Sequence, residues 1–379
     1  MEKPPQRTWP QACRFWLRRG LIHLASTLVL IGLLEGLAAW WLSRNPVEPV
    51  PPQKERVVAE RLHTRYDALL GWVNKPNTVV SNMYGKGLDV TINNLGFRGR
   101  TTVDPDQPAG KRRIILSGDS FTFGYGVDDE HTWGNFLKTE LDDTEVLKMA
   151  LGGYGLDQAY LWYQREGDGL PHDVHLFAFI TENFRRMTRP RFMGYGKPVL
   201  TVRDGALAVE NVPPPKPHKP AEPSALSAAL QRMHLAQIMN ELKRRYAQEQ
   251  ADYWAGQAEE TARLMFTELH AMHDKAGRLG ALIYLPVEKD YDGDDSDAWR
   301  AWLSEQAKTD GWIYFDLVAE LRTLPAGDVP GLFIQKNLKG YSGALGHYTE
   351  AGNRWVADTL MRYLAAHPEL SARLALAQL

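Results

Sequence analysis

The chain has 379 residues, of which 44% are hydrophobic and 24% are charged, with 44 Lys and Arg against 46 Asp and Glu. This composition excludes a wholly disordered or low-complexity protein, because it supplies enough apolar surface for a packed core. The formal net charge of -2 argues against nucleic acid as a partner, since neutralising phosphates requires a clustered basic excess. The single cysteine, Cys13, excludes a disulfide framework and any multi-cysteine metal site.

An apolar segment near the N-terminus predicts a transmembrane anchor helix at residues 21–42. Its sequence, LIHLASTLVLIGLLEGLAAWWL, has about the 20 residues that a helix needs to cross the hydrocarbon layer. Residues 1–20 form a basic tail, so the positive-inside rule predicts a cytoplasmic N-terminus and an exported remainder. A cleaved signal peptide is the alternative, but this run is long for one and no small-residue cleavage site follows it. We expect a single-pass protein of the bacterial inner membrane with a periplasmic domain.

One carboxylate, Glu35, lies inside this apolar run. An ionisable residue within a membrane segment is by default a functional or partner-binding candidate. The alternative, which the sequence favours, is that Glu35 lies about two turns from the outer end and reaches the interface with its carboxylate.

The sequence after the anchor predicts an α/β domain preceded by a leader. Residues 43–64 are rich in proline and charge, which is typical of an extended linker, and residues 65–110 predict a β-rich leader. From residue 111 to 379, continuous apolar runs alternate with helix-like stretches, as expected for parallel strands buried on both faces. The predicted strands are Arg113–Ser117, Val146–Leu151, Val174–Thr181, Ala281–Val287 and Trp312–Leu317, and the predicted helices lie around 131–142, 157–166, 259–275, 297–309 and 349–364.

An insertion at residues 188–256 interrupts this alternation. Residues 197–210 predict a β-hairpin, because Asp204-Gly205 readily adopts the positive φ angles of a two-residue turn. A proline-rich stretch follows, and after it a helix with an apolar face formed by Leu226, Leu230, Met233, Ile238 and Leu242. Long insertions of this kind are either lids and binding elements or structural appendages, and the sequence leaves both open.

The sequence GDSFTFGYG, directly after the first predicted strand, carries the clearest chemical signal. It places Ser120 between the end of a parallel strand and the start of a helix, at the edge where open α/β sheets bind ligands. A serine hydroxyl becomes nucleophilic when an imidazole accepts its proton, and the resulting oxyanion requires preorganised hydrogen-bond donors. Three later segments supply residues of these types: LKMALGGYGLDQ at 147–158, ITEN at 180–183 and GHYTEAGN at 346–353.

These four segments, in this order, resemble the four blocks of the SGNH (GDSL) hydrolase superfamily, and the resemblance extends over most of the chain after residue 65. It implies a three-layer, flavodoxin-like fold with a five-stranded parallel sheet, here with an N-terminal transmembrane helix and a hairpin and helix insertion. It further implies that Ser120 is the nucleophile and His347 the base. The backbone N–H groups of Ser120 and Gly153 and the side chain of Asn183 would form the oxyanion hole, with no metal or cofactor. The segment LGW…KPN…NNLGFRG is similar to the leader of membrane-tethered, exported members.

Three positions depart from the motifs of that superfamily. Ala344 stands where an aspartate normally orients the histidine, so His347 either uses a backbone carbonyl, borrows a distant carboxylate, or belongs to an inactive site. In a triad enzyme, losing control of the histidine tautomer lowers kcat by about 10⁴-fold. Phe184 replaces the usual aspartate after the block-three asparagine, and Lys148 replaces an asparagine that is frequent in block two.

Two charged clusters offer other sites. The acidic residues 290–297 lack the spacing of an EF-hand-like calcium loop, because Asp295 and Ala301 occupy the positions of its glycine and glutamate, so we expect no metal. A basic cluster follows Asn183 and is either a solvated loop or a site for an acidic glycan or a phosphate; it comprises Arg185, Arg186, Arg189 and Arg191.

The resemblance implies a serine esterase acting on O-acyl groups, above all O-acetyl groups, of a cell-envelope polysaccharide. An O-acetyltransferase with the same Ser–His pair is the alternative, and a catalytically degenerate scaffold or glycan-binding subunit is a second. The expected partners are an acylated carbohydrate, the membrane through residues 21–42, and an envelope polysaccharide machinery.

Overall fold

A computed structural model of the chain describes residues 9–45, 60–216, 230, 232–335 and 342–376. The start of the predicted basic tail, most of the predicted linker and Leu226 lie outside the described residues. The chain divides into two compact units, one from residues 1–54 and 219–252 and the other from residues 55–218 and 253–379.

The first unit contains one long N-terminal helix and most of a second helix from the insertion. Helix α1 spans Trp9–Arg44, so it is longer than the predicted segment and continues into the predicted linker. Its part from Arg14 to Arg44 is long and apolar enough to cross a membrane, or to serve as a signal sequence. The insertion helix begins at His234, after a turn that contains Met233, so the prediction of one continuous apolar face from residue 226 to 242 is wrong.

The second unit is built on a five-stranded parallel sheet. Its strands are β5 (Arg112–Gly118), β6 (Thr144–Ala150), β7 (Val174–Phe179), β12 (Leu279–Tyr284) and β13 (Ile313–Asp316). Across the sheet they follow the order β6-β5-β7-β12-β13, which is the flavodoxin-like order 2-1-3-4-5 when the five are counted along the chain. The predicted fold class is confirmed, and each strand lies within a few residues of its predicted bounds.

Helices cover both faces of the sheet and make the domain three-layered. Alternate strand residues enter two separate cores, with Ile115 on one face of β5 and Ile114 and Leu116 on the other. The helices after the leader are α3 (Ser120–Phe123), α4 (Trp133–Glu140), α5 (Leu156–Trp162), α6 (Thr181–Met187), α7 (His234–Gly256), α8 (Ala258–Ala276), α9 (Asp297–Asp310), α10 (Leu317–Leu321), α11 (Glu350–Ala366) and α12 (Pro368–Leu374). Helices α5, α8 and α9 pack on one face, and α4, α10, α11 and α12 on the other.

The leader and the insertion contribute small antiparallel sheets. In the leader a short helix, α2 (Glu60–His63), precedes two pairs: β1 (Thr64–Asp67) with β2 (Gly71–Asn74), and β3 (Thr78–Val80) with β4 (Val90–Ile92). In the insertion β8 (Arg191–Phe192) pairs with β9 (Tyr195–Gly196), and β10 (Val199–Arg203) with β11 (Ala206–Glu210). Asp204 and Gly205 have φ angles of 50° and 77°, which confirms the predicted turn.

Candidate active site

Ser120 is the first residue of α3, directly beyond the carboxyl end of β5. Asp119 caps this helix, because its Oδ1 accepts the N–H of Phe121 at 2.9 Å. A side chain at Gly118 would place its Cβ 2.6 Å from the carbonyl oxygen of Ala178, so the sharp turn into the helix admits only glycine there. The turn holds the Ser120 hydroxyl at the sheet edge where parallel strands end, with the residue only 6% exposed.

His347 meets this hydroxyl from the loop that precedes α11. Its Nε2 lies 2.8 Å from Ser120 Oγ, and its Nδ1 lies 3.1 Å from the carbonyl oxygen of Ala344. A carbonyl oxygen only accepts hydrogen bonds, so the proton belongs on Nδ1 and the lone pair of Nε2 faces the serine. Of the three alternatives that Ala344 leaves open, the geometry matches the backbone carbonyl.

Two aromatic rings hold the imidazole in addition to this hydrogen bond. Phe121 stacks on His347 with ring centroids 4.6 Å apart, and Tyr125 lies on it at 5.1 Å. Burial lowers the pKa of His347 to about 4, although the negative charge of Asp119 opposes this effect. The imidazole is therefore neutral at pH 7, which is the form that can accept the serine proton.

Asn183 lies in the first turn of α6, beyond the end of β7, and its amide is fully engaged. The Nδ2 group donates to Asp119 Oδ2 at 2.9 Å and to the carbonyl oxygen of Tyr154 at 2.8 Å, while Oδ1 accepts the N–H of Ile180. Both amide hydrogens are thus used within the protein. The role of Asn183 as an oxyanion donor stays a prediction, and it requires one of these hydrogen bonds to be exchanged for the substrate.

Arg186 is the member of the predicted basic cluster that reaches the site. Its Nη1 donates to Asp119 Oδ2 at 2.9 Å, and its guanidinium lies 4.7 Å above the ring of Phe192. Arg185 and Arg189 instead pair with Glu182 at 3.5 Å and 3.7 Å. The sequence did not distinguish among these arginines, since only the orientation of α6 decides which one turns inward.

Gly153 has a φ of 80° in the turn after β6, a conformation that favours glycine. A Cβ at this position would lie 2.9 Å from the ring of Phe192, and Trp72 of the leader donates to the carbonyl oxygen of Gly152 at 3.2 Å. The turn is therefore packed tightly between leader and insertion. The proposed donation from the Gly153 N–H to the oxyanion stays a prediction.

The leader is tied to the turn that carries Ser120 through Arg98, the arginine of NNLGFRG. This side chain is fully buried and pairs with Asp129 at 3.0 Å. Its other nitrogens donate to backbone carbonyl oxygens that follow Ser120 in the chain, namely those of Phe123, Gly124 and Val127. The leader motif therefore supports the turn that carries Ser120, a role that the sequence did not reveal.

Lys148 is buried beside the ion pair of Arg98 and Asp129. Its ammonium donates at 3.1 Å to the hydroxyl of Thr132, the residue that caps α4, and burial lowers its pKa to about 7. Lys148 thus supports a helix terminus, which explains how a lysine is accommodated where asparagine is frequent.

An open cleft of about 770 Å³ lies beside the site. Part of its wall is formed by Ile180, which caps the helix α6 that carries Asn183, and by Gly346, which precedes His347. The remaining wall combines apolar residues with charged groups at the rim, including Val287, Pro330, Tyr291, Arg185, Glu288 and Lys289. Among the described residues, no cluster of His, Cys, Asp or Glu has the arrangement of a metal site.

The chain is similar in fold to several solved structures. A member of the lipolytic protein G-D-S-L family from Veillonella parvula is 13% identical, with 68% of this chain and 100% of that chain covered and a TM-score of 0.35. The acetyl xylan esterase AlAXEase is 14% identical, with 66% of this chain and 98% of that chain covered and a TM-score of 0.39. A lipase/acylhydrolase from Enterococcus faecalis is 12% identical, with 67% of this chain and 95% of that chain covered and a TM-score of 0.37. No family model and no curated protein matches the chain. A likeness at these identities and TM-scores carries no conclusion about the reaction.

Proposed function

We propose that the protein is a membrane-anchored serine esterase that removes O-acyl groups, above all O-acetyl groups, from a cell-envelope polysaccharide. The observation that carries this proposal is the 2.8 Å contact between Ser120 Oγ and His347 Nε2, with the imidazole held in the tautomer that accepts a proton. In the proposed reaction, Ser120 attacks the acyl carbonyl carbon while His347 takes the hydroxyl proton. His347 then returns that proton to the leaving sugar oxygen, which leaves an acyl-serine.

The oxyanion of the tetrahedral intermediate would be bound by the N–H groups of Ser120 and Gly153 and by the amide of Asn183. In well-studied hydrolases, removing one such donor raises the barrier by about 3–4 kcal/mol. Water, activated by His347 as base, would then release the acid and regenerate the serine.

The location and the substrate class rest on separate observations. The apolar helix α1 and the basic residues ahead of it support an uncleaved inner-membrane anchor with the catalytic domain in the periplasm. The cleft beside the site is larger than an acetyl group needs, and its charged rim offers partners for sugar hydroxyls. Both features fit a periplasmic enzyme that acts on the acylated sugars of an envelope polysaccharide.

An O-acetyltransferase is the second candidate, because the same acyl-serine could be resolved by a sugar hydroxyl instead of water. The openness of the cleft beside Gly346 favours it, since an acceptor sugar could approach the acyl group from that side. The two activities share the first half-reaction and differ only in the nucleophile of the second.

The test is covalent labelling of the full-length protein with a fluorophosphonate, which reacts with activated serines. We expect labelling that is lost in Ser120→Ala and His347→Ala but kept in the matched control His131→Ala, whose side chain lies outside the Ser120–His347 pair. No labelling of the wild-type protein between pH 6 and 9 would favour the degenerate scaffold. Incubation with an acetyl donor, with and without an oligosaccharide acceptor, then distinguishes hydrolysis from transfer.

A further inference from the structure

Glu35, the carboxylate within the apolar helix α1, binds the N-terminus of α7 in the same compact unit. Its Oε1 accepts the backbone N–H of His234 at 2.5 Å and lies 2.9 Å from His234 Nδ1, while Oε2 accepts the N–H of Leu235 at 3.1 Å. These N–H groups have no partner within their own helix, so the carboxylate caps α7 and also favours it through the helix dipole. The start of α7 is therefore fixed to one level of α1.

If α1 is the proposed membrane anchor, that level lies just inside the outer edge of the hydrocarbon layer. Trp40 and Trp41 lie near the end of the apolar run, where aromatic side chains mark the membrane interface, and Arg44 stacks on Trp40 at 4.2 Å. At about 1.5 Å per residue, Glu35 lies about 8 Å below Trp40 along the helix. Helices that lie in the membrane surface bury their apolar face to a depth of about 5–10 Å. The Glu35 contact therefore sets the N-terminus of α7 at the depth of such a helix.

The sequence of α7 has the amphipathic pattern of a helix that lies in the membrane surface. Met239, Leu242 and Tyr246 are 53%, 54% and 66% exposed, and their spacing places them within about 60° of one another around the helix. Lys243 and Arg245 lie on the two flanks of this apolar stripe. Glu241, on the far side, pairs with Arg244 at 2.7 Å and with the Nε of Arg245 at 2.9 Å, and the Arg245 side chain remains 61% exposed. Cations that flank an exposed apolar stripe are typical of helices that bind anionic lipid headgroups.

We propose that α7 lies in the outer leaflet of the membrane with Met239, Leu242 and Tyr246 inserted among the acyl chains and with Lys243 and Arg245 on anionic headgroups. The occupant of this surface is the lipid itself, because α7 begins against a helix that enters the same layer and because the charges that flank its stripe complement anionic phospholipids. The hydrogen bonds of Glu35 to the N-terminus of α7 then hold this surface helix to the membrane anchor α1. This inference rests on the proposed membrane anchor and is independent of the proposed esterase activity.

The test uses the full-length protein in a Cys13→Ser background, reconstituted into vesicles of phosphatidylethanolamine and phosphatidylglycerol. An environment-sensitive fluorophore is attached at Leu242→Cys, at Arg244→Cys on the opposite face as the matched control, or at Leu30→Cys within α1. Quenching by brominated lipids and by aqueous iodide is then compared. We expect the label at position 242 to be quenched several-fold more by lipid, and less by iodide, than the label at 244. Glu35→Ala should reduce this difference, as should the double change Lys243→Glu and Arg245→Glu.

Three outcomes overturn the proposal. If position 30 is quenched by lipid but 242 is as accessible to iodide as 244, α7 does not lie in the membrane although the anchor does. If 242 is shielded from both quenchers, its stripe is covered by protein, such as a second copy of the chain. If position 30 is not quenched by lipid, the membrane anchor fails as well. Fluorophosphonate labelling of Ser120 in the same vesicles reports on the esterase proposal separately.

Discussion

The Nδ1 atom of His347 lies 3.1 Å from the carbonyl oxygen of Ala344, and this contact fixes the imidazole with Nε2 facing Ser120. A neutral carbonyl therefore occupies the place that a carboxylate fills in a Ser–His–Asp triad. It can define the tautomer, but it stabilises the imidazolium of the transition state less than a full negative charge would. We infer a serine–histidine dyad in which stacking on Phe121 and Tyr125 provides much of the orientation.

The rate of fluorophosphonate labelling should have an unusually acidic pH profile. Only the neutral imidazole accepts the serine proton, and burial lowers the pKa of His347 to about 4. Labelling should therefore be constant from about pH 6 to 9 and fall as the pH drops through about 4. The measurement is the labelling rate as a function of pH, with circular dichroism as a control that the fold persists. A midpoint near the ordinary histidine value of about 6.5 would contradict this expectation.

The substitution Ala344→Asp should not create a working triad. The Ala344 side chain is 3% exposed and packs in an apolar cluster with Phe123 and Tyr125, while its carbonyl faces the histidine. A carboxyl group there would be buried without a polar partner, which costs about 1–3 kcal/mol. We expect a loss of that size in the free energy of unfolding and no gain in labelling rate. Denaturant titration measures the first, with Ala344→Ser as the control of similar size, and faster labelling by the Asp variant would refute the expectation.

The substitution Arg186→Ala should destabilise the protein far more than Arg185→Ala. Asp119 is 1% exposed, and removing Arg186 would leave its buried charge without the ion pair at 2.9 Å. Removing one partner of a buried ion pair lowers the free energy of unfolding by about 3–5 kcal/mol. We expect the lower end of this range because Asn183 still donates to Asp119. Arg185 is largely solvated, so its removal should change stability by less than about 0.5 kcal/mol. Equal effects of the two substitutions in urea denaturation would show that the Asp119 pair is unimportant.

The fold should lose stability in mild acid because of buried histidines beneath the sheet. The Nε2 atom of His175 lies 2.8 Å from Ser117 Oγ, and its Nδ1 atom lies 2.9 Å from Nε2 of His273. The hydroxyl of Tyr163 lies 3.0 Å from Nε2 of His172. Burial lowers the pKa of His172 to about 4 and of His273 to about 3, and it lowers the pKa of His175 well below its ordinary value. The unfolded chain binds these protons below about pH 6.5 and the folded chain does not, so stability is full above that pH and decreases below it.

Each such histidine should reduce the free energy of unfolding by about 1.4 kcal/mol per pH unit between about 6.5 and its folded-state pKa. Urea denaturation at pH 7, 6 and 5 measures this slope. The variant His175→Phe, which removes one titrating group, should have a smaller slope than the wild-type protein. An unchanged free energy of unfolding from pH 7 to 5 would contradict the burial of these side chains.

The five parallel strands could be predicted because strands buried on both faces are continuous apolar runs with helices between them, whereas the flavodoxin-like arrangement was expected only from the resemblance to the SGNH superfamily. The hairpin at Asp204-Gly205 could be predicted because its turn needs positive φ angles. The partner of His347 could not, since every residue has a carbonyl and only the path of the loop decides which one faces the ring. The contact of Glu35 with His234 joins positions 199 apart and depends on where α7 begins. The apolar residues before position 234 gave no sign of the turn that precedes it.

The clamp made by Arg98 has a consequence for protein engineering. Because this leader side chain binds three backbone carbonyls shortly after Ser120, a chimera that joins a foreign leader to residues 111–379 would leave the turn that carries Ser120 without this support. When the leader and the α/β domain are exchanged between relatives, Arg98 and the segment whose carbonyls it binds therefore have to be transferred together.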